Sequence, residues 1–105
     1  MTTWEYAYLH SIPYSRQDAR TRAYVHLTIY VVEEAANVWV LDKVNGFLDS
    51  LNIVGAEGWH VQLPSSGRHT DKDREIARLV HVHVPEILED HAVIRATNFM
   101  RRSRD

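Results

Sequence analysis

The chain has 105 residues, 45% of them apolar and 25% charged, with seven histidines and a formal net charge of −2. That length predicts one domain around one core, and that composition is ordinary for a soluble globular protein. The lack of cysteine excludes disulfides, zinc–thiolate centres and thiol nucleophiles, and the overall charge supplies no basic field to steer the chain onto nucleic acid.

The opening "MTTWEYAYLH" has no basic segment followed by an apolar one, so no secretory signal is expected and the expected compartment is cytoplasmic. The longest apolar run, "LTIYVV", is far too short to span a bilayer. In "TWEYAYLHS", Trp4, Tyr6, Tyr8 and His10 alternate with Glu5, Ala7 and Leu9. This period of two predicts a half-buried strand. "IPYSRQDARTR" follows, with a proline and mixed charge, and reads as a loop. The next strand is sharper: in "AYVHLTIYVV", Val25, Leu27, Ile29 and Val31 point one way, and Tyr24, His26, Thr28 and Tyr30 the other. "VWVL", from Val38 to Leu41, fits either a short strand or the approach to a helix.

From Val44, apolar residues recur at Phe47, Leu48, Leu51 and Val54, which predicts an amphipathic helix. Asp42 is its expected N-cap, because a carboxylate can accept a free backbone N–H. Gly55 is its expected left-handed stop. Ile53 is expected to project away from the core side. In "LNIVGAEGWHV", Gly55, Glu57, Gly58 and Trp59 then read as a structural turn from helix to strand, with the Glu57 carboxylate bonded to nearby N–H groups. A single glutamate with no histidine or second carboxylate fixed beside it does not make a general acid. The spacing is not that of a phosphate loop either. "WHVQL" predicts a short strand, and Ser65 to Thr70 a loop. Lys72 to Leu79 carries helix formers, "LVHVHV" alternates like a strand, and Pro85 to His91 suggests another helical turn. "ATNFMRR", entered from about Val93, closes the chain as a strand. The fold expected is α+β: an antiparallel sheet of four or five strands, with the helix packed through Phe47, Leu48, Leu51 and Val54 onto Val25, Leu27, Ile29 and Val31, and room for a second short helix.

Trp4, Glu5 and Tyr6, together with Leu51, Asn52, Gly55, Glu57, Gly58 and Trp59, carry a resemblance to a family. The chain resembles small uncharacterised bacterial and phage proteins that begin Trp-Glu-Tyr and carry L-N-x-x-G-x-E-G-W before a strand; "NFMRR" is similar to their aromatic and basic final strand. The chain departs from them at His60, where they often have glutamate. The resemblance implies a small α+β domain of unknown function and a phage or prophage origin. It implies no catalytic residue and no cofactor.

His81 and His83, on a strand, would present two rings on one face, with His69 or His91 available to complete a metal site. Trp4, Tyr6, Tyr8, Tyr24, His26 and Tyr30 would give two paired strands one aromatic face, suited to core, to an interface or to base stacking. Trp4, Tyr6, Tyr8, Tyr24 and Tyr30, with Ile53, are the expected contacts of a homodimer. The tail arginines Arg101, Arg102 and Arg104 are available to phosphates or an acidic partner. The reading that follows is a non-enzymatic interaction or accessory protein with a host or phage partner. The alternatives are a nucleic-acid-binding module and a metal-dependent hydrolase using the histidines.

Overall fold

The computed structural model describes residues 3–41, 44–65 and 72–104, of which the side chains of 63–65 are left aside. Five antiparallel strands form one sheet in the order β3-β2-β1-β5-β4, and two helices pack on it, an α+β architecture. The elements are β1 (Trp4–Gln17), β2 (Tyr24–Glu34), β3 (Val38–Val40), α1 (Phe47–Ala56), β4 (His60–Ser65), α2 (Asp73–His83), a 3₁₀ turn (Glu89–His91) and β5 (Ala96–Ser103). The molecule is elongated, 56 Å in its longest dimension against 26 and 23 Å in the others.

That length comes from β1, which runs through the segment whose composition reads as a loop. Ile12 to Gln17 pair with Ile29 to Tyr24, so the hairpin continues past the ends of β3 and β5. Pro13 is tolerated there for a geometric reason. Ser11 accepts from Arg95 N–H on the side of β1 that faces β5. Backbone groups alternate along a strand, so Pro13 turns the same way, at a point where β5 has already ended and no ladder donor is required.

Each sheet face has its own cluster. On one, Ala7, Leu9, Tyr30, Val32 and Met100 pack beneath α1 with Val54 and Trp59. On the other, Ile12, Ile29, Val31, Val38 and Val40 pack beneath α2 and the following segment, through Ile76, Val80 and Ile87. The expected partners of α1 are therefore corrected: Ile29 and Val31 support α2, and α1 rests on the residues that alternate with them. The contact stripe of α1 is corrected as well. Its buried residues are Ser50 and Val54, flanked by the partly buried Leu51 and Ile53. At about 100° per residue, Leu48 falls on the far side of this stripe and is 73% exposed, while Phe47, at the free end, is 43% exposed. Ile53, expected to point away, leans on the core. The helix begins later than its apolar pattern, because Val44 to Gly46 are not helical; Asp49 accepts the Asn45 N–H at 3.1 Å. Asp42 lies outside the described residues.

The helix stop is one turn later than expected. Gly55 is helical, and Gly58 takes the left-handed conformation with φ 90°. Trp59 N–H reaches Val54 C=O at 3.1 Å and Gly58 N–H reaches Gly55 C=O at 3.0 Å. This is a Schellman stop with its apolar contact between Trp59 and Val54. Glu57 contributes its backbone: its N–H bonds Val54 C=O and its carbonyl accepts from Arg102. Among the described residues its carboxylate has no partner in the turn.

Of "LVHVHV", Leu79 to His83 are the end of α2, not a strand, and Val84 is its C-cap. Ile76, Val80 and the partly buried Leu79 repeat with helical spacing, and that face has a sheet to cover. Lys72 Nζ ties the start of α2 to the β2–β3 turn by donating to the carbonyls of Glu34 and Ala35 at 2.9 and 3.2 Å.

Candidate functional surfaces

The aromatic residues of β1 and β2 do not share a face. The register pairs Tyr8 with Glu33 and His10 with Val31, so even-numbered residues of β1 lie beside odd-numbered residues of β2. Trp4, Tyr6, Tyr8 and His10 are on the α2 side, whereas Tyr24, His26 and Tyr30 are on the α1 side. The expectation of one continuous aromatic surface is corrected by this register.

On the α2 side the aromatics form a row across β1 and β5. Tyr6 stacks on Phe99 with centroids 5.4 Å apart, Phe99 meets Tyr8 at 6.0 Å, and Tyr8 meets the His10 ring at 5.9 Å. Arg101 lies over Trp4, 4.4 Å from the ring centroid. Tyr6 remains 52% exposed, so the outer part of this row faces outward among the described residues. In the sequence Phe99 reads only as part of the final strand; its membership of the row depends on its pairing with Tyr8.

The row ends on a buried polar chain. His10 is 0% exposed, and its Nε2 donates to Glu33 Oε1 at 2.8 Å. A carboxylate only accepts, so in the neutral ring Nδ1 is left to accept from the Thr97 hydroxyl, also at 2.8 Å. The order hydroxyl, imidazole, carboxylate is that of an activated nucleophile. Thr97, however, is 1% exposed and presents no oxygen to a substrate. The chain of bonds joins β5, β1 and β2 side by side and acts as a structural pin.

On the α1 side an open groove of about 760 Å³ lies beside the helix. Apolar Tyr30, Phe47, Leu51 and Val61 line it, with polar Thr28 and Asn98. Tyr30 is buried against Phe47, with centroids 6.2 Å apart, and burial pushes its phenol up from its ordinary pKa. As an interface candidate Tyr30 is therefore corrected: it is core. Tyr24, farther out on the same strand, is 69% exposed.

The histidine pair is dispersed. Two residues apart on a helix, His81 and His83 diverge by about 200°. The His81 ring bonds the Ile87 carbonyl at 2.7 Å, and the His83 ring bonds that of Leu79 at 3.1 Å. His69 lies outside the described residues. Among the described residues, no three of His, Cys, Asp and Glu converge to hold a metal. The tail arginines are engaged within the chain. Arg102 bonds Glu5 at 3.0 Å and lies over Trp59 at 4.3 Å, while Arg104 pairs with Glu5 at 3.4 Å. The Trp59 indole N–H is buried without a hydrogen-bond partner among the described residues, and its ring face is held by Arg102.

No helix among the described residues is long and apolar enough to cross a membrane. Comparison with protein-family models, curated proteins and solved structures gives no match.

Proposed function

We propose that this chain is a non-enzymatic interaction or accessory protein that works as a two-fold dimer through the aromatic row on the α2 side of the sheet. The observation that carries this reading is the exposed ring of Tyr6, stacked on Phe99 and backed by Tyr8. Rings with an apolar body and a polar tip suit a surface that is dry in one state and wet in the other. Pre-stacked rings also lose little freedom on binding. A two-fold axis through such a patch places the same row on both partners. The phage or prophage setting rests on the family resemblance alone.

Light scattering from micromolar to millimolar concentration tests the proposal. The expected mass is twice the 12.2 kDa of the chain, with Tyr6→Asp returning it to that of one chain. A single-chain mass for the wild type throughout that range refutes the dimer. A dimer unchanged by Tyr6→Asp moves the interface elsewhere.

A further inference from the structure

Of the ten arginines of this chain, three lie on the β1–β2 hairpin and three at the C-terminal end. Those at the C-terminal end are engaged by Glu5, Trp4 and Trp59. On the β1–β2 hairpin, among the described residues, the side chains of Arg16, Arg20 and Arg22 form no ion pair, hydrogen bond or ring contact, and only Arg16 is near enough to Asp18 to act on its carboxyl. From Ser15 to His26 the hairpin tip carries three arginines against one aspartate, on a chain whose net charge is −2. The overall charge therefore conceals a local basic end.

The one aspartate is committed to building the tip. Asp18 accepts from Arg20 N–H at 2.8 Å and from Thr21 N–H at 3.0 Å, and its own N–H bonds the Ala23 carbonyl at 2.8 Å. Arg22 N–H returns to the Asp18 carbonyl at 2.9 Å, holding Arg22 at φ 59°. Gln17 closes the loop onto the Arg22 carbonyl at 3.0 Å. The arginines thus project from an ordered frame. Arg16 lines one hollow with Asp18 and Glu86, so two carboxylates border the basic tip at its foot.

We propose that this hairpin is a DNA-binding arm, with Arg16, Arg20 and Arg22 contacting the phosphate backbone of a duplex. A two-stranded ribbon fits a major groove about 12 Å wide. Guanidinium groups match phosphate oxygens in pairs. Duplex DNA presents a charge about every 1.7 Å along its axis, so exposed arginines find phosphates on it without side chains placed to match. An acidic protein would need carboxylates placed to match. Gln17, Tyr24 and His26 are exposed on the same ribbon, on the face opposite Arg16. The arm lies apart from the Tyr6 row, so each proposal stands or falls independently.

The test is fluorescence anisotropy with a labelled duplex of about 20 base pairs, since phosphate binding is read from its salt dependence. Three phosphate contacts predict a log–log slope near −2.7, or about a 40-fold loss of affinity between 50 and 200 mM salt. Replacing the three arginines by alanine abolishes binding, while Arg101→Ala leaves it unchanged. Should the triple variant lose its fold by circular dichroism, Arg20→Ala alone reduces the slope by about 0.9. No anisotropy change at 50 mM salt, or a slope that these substitutions do not alter, overturns the proposal. Binding of polyglutamate as tight as that of duplex at equal charge assigns the arm to an acidic protein and also overturns it.

Discussion

Thr97→Val tests the buried pin that holds the centre of the sheet. Valine replaces the hydroxyl by a methyl group of similar shape, so packing is nearly conserved and the loss isolates one hydrogen bond. His10 is fully buried and Nδ1 has the Thr97 hydroxyl as its partner at 2.8 Å, so the substitution leaves a ring nitrogen unsatisfied where water does not reach. Leaving one buried polar atom unpaired costs about 1–3 kcal/mol. For a domain of this size each kcal/mol lowers the midpoint by roughly 4–8 °C, so the variant should melt about 4–24 °C below the wild type. Urea unfolding should show the same loss at unchanged m-value, and Thr97→Ser, which keeps the oxygen, should restore part of it. A Thr97→Val protein within about 0.5 kcal/mol of the wild type, the range of an uninvolved surface site, would refute the pin.

The two glycines around the helix stop should respond in opposite directions to alanine. Gly55 is helical with open space at its missing Cβ, so Gly55→Ala should stabilise by about 0.5–1 kcal/mol, whereas Gly58 sits at φ 90° and Gly58→Ala should destabilise by about 1–2 kcal/mol, both read by urea melts. The Asp18 carboxyl is held below its ordinary 3.8 by the N–H of Thr21, then that of Arg20. Its contribution to the hairpin turn is therefore fully present above that ordinary value and lost as pH falls through the lower folded one; amide exchange of Arg20 and Thr21 should accelerate in that acid window, and no longer do so in Asp18→Asn.

Period-two alternation made β1 and β2 legible in the sequence, and the helical spacing from Phe47 to Val54 revealed α1. The hairpin extension was hidden because Pro13 and the mixed charges of residues 15–22 resemble a loop. Only the register shows that the proline needs no ladder donor there. "LVHVHV" misled because alternation over so few residues also fits the end of a helix, and α2 was decided by the sheet face it covers. The aromatic residues were identifiable, but their division between two faces was not. That division rests on pairing Tyr8 with Glu33, a long-range choice that leaves no trace in either strand alone. The His10 pin was invisible for the same reason, since Thr97 lies 87 residues away. The free arginines of the hairpin were overlooked because net charge averages over the chain, and which arginines are engaged is a property of the folded state.

The strand order has a consequence for synthesis on the ribosome. β5 is made last, yet it lies between β1 and β4 and is the strand that joins them. Until Ala96 to Ser103 emerge, the nascent chain holds β3, β2 and β1 as one piece, and β4 has no neighbour in the sheet. During that interval the N-terminal half of β1 presents an open edge carrying Ala7 and Leu9, a template for pairing with another chain. Completion of the sheet must therefore follow completion of β5, and Met100, fully buried, seats only then beneath α1.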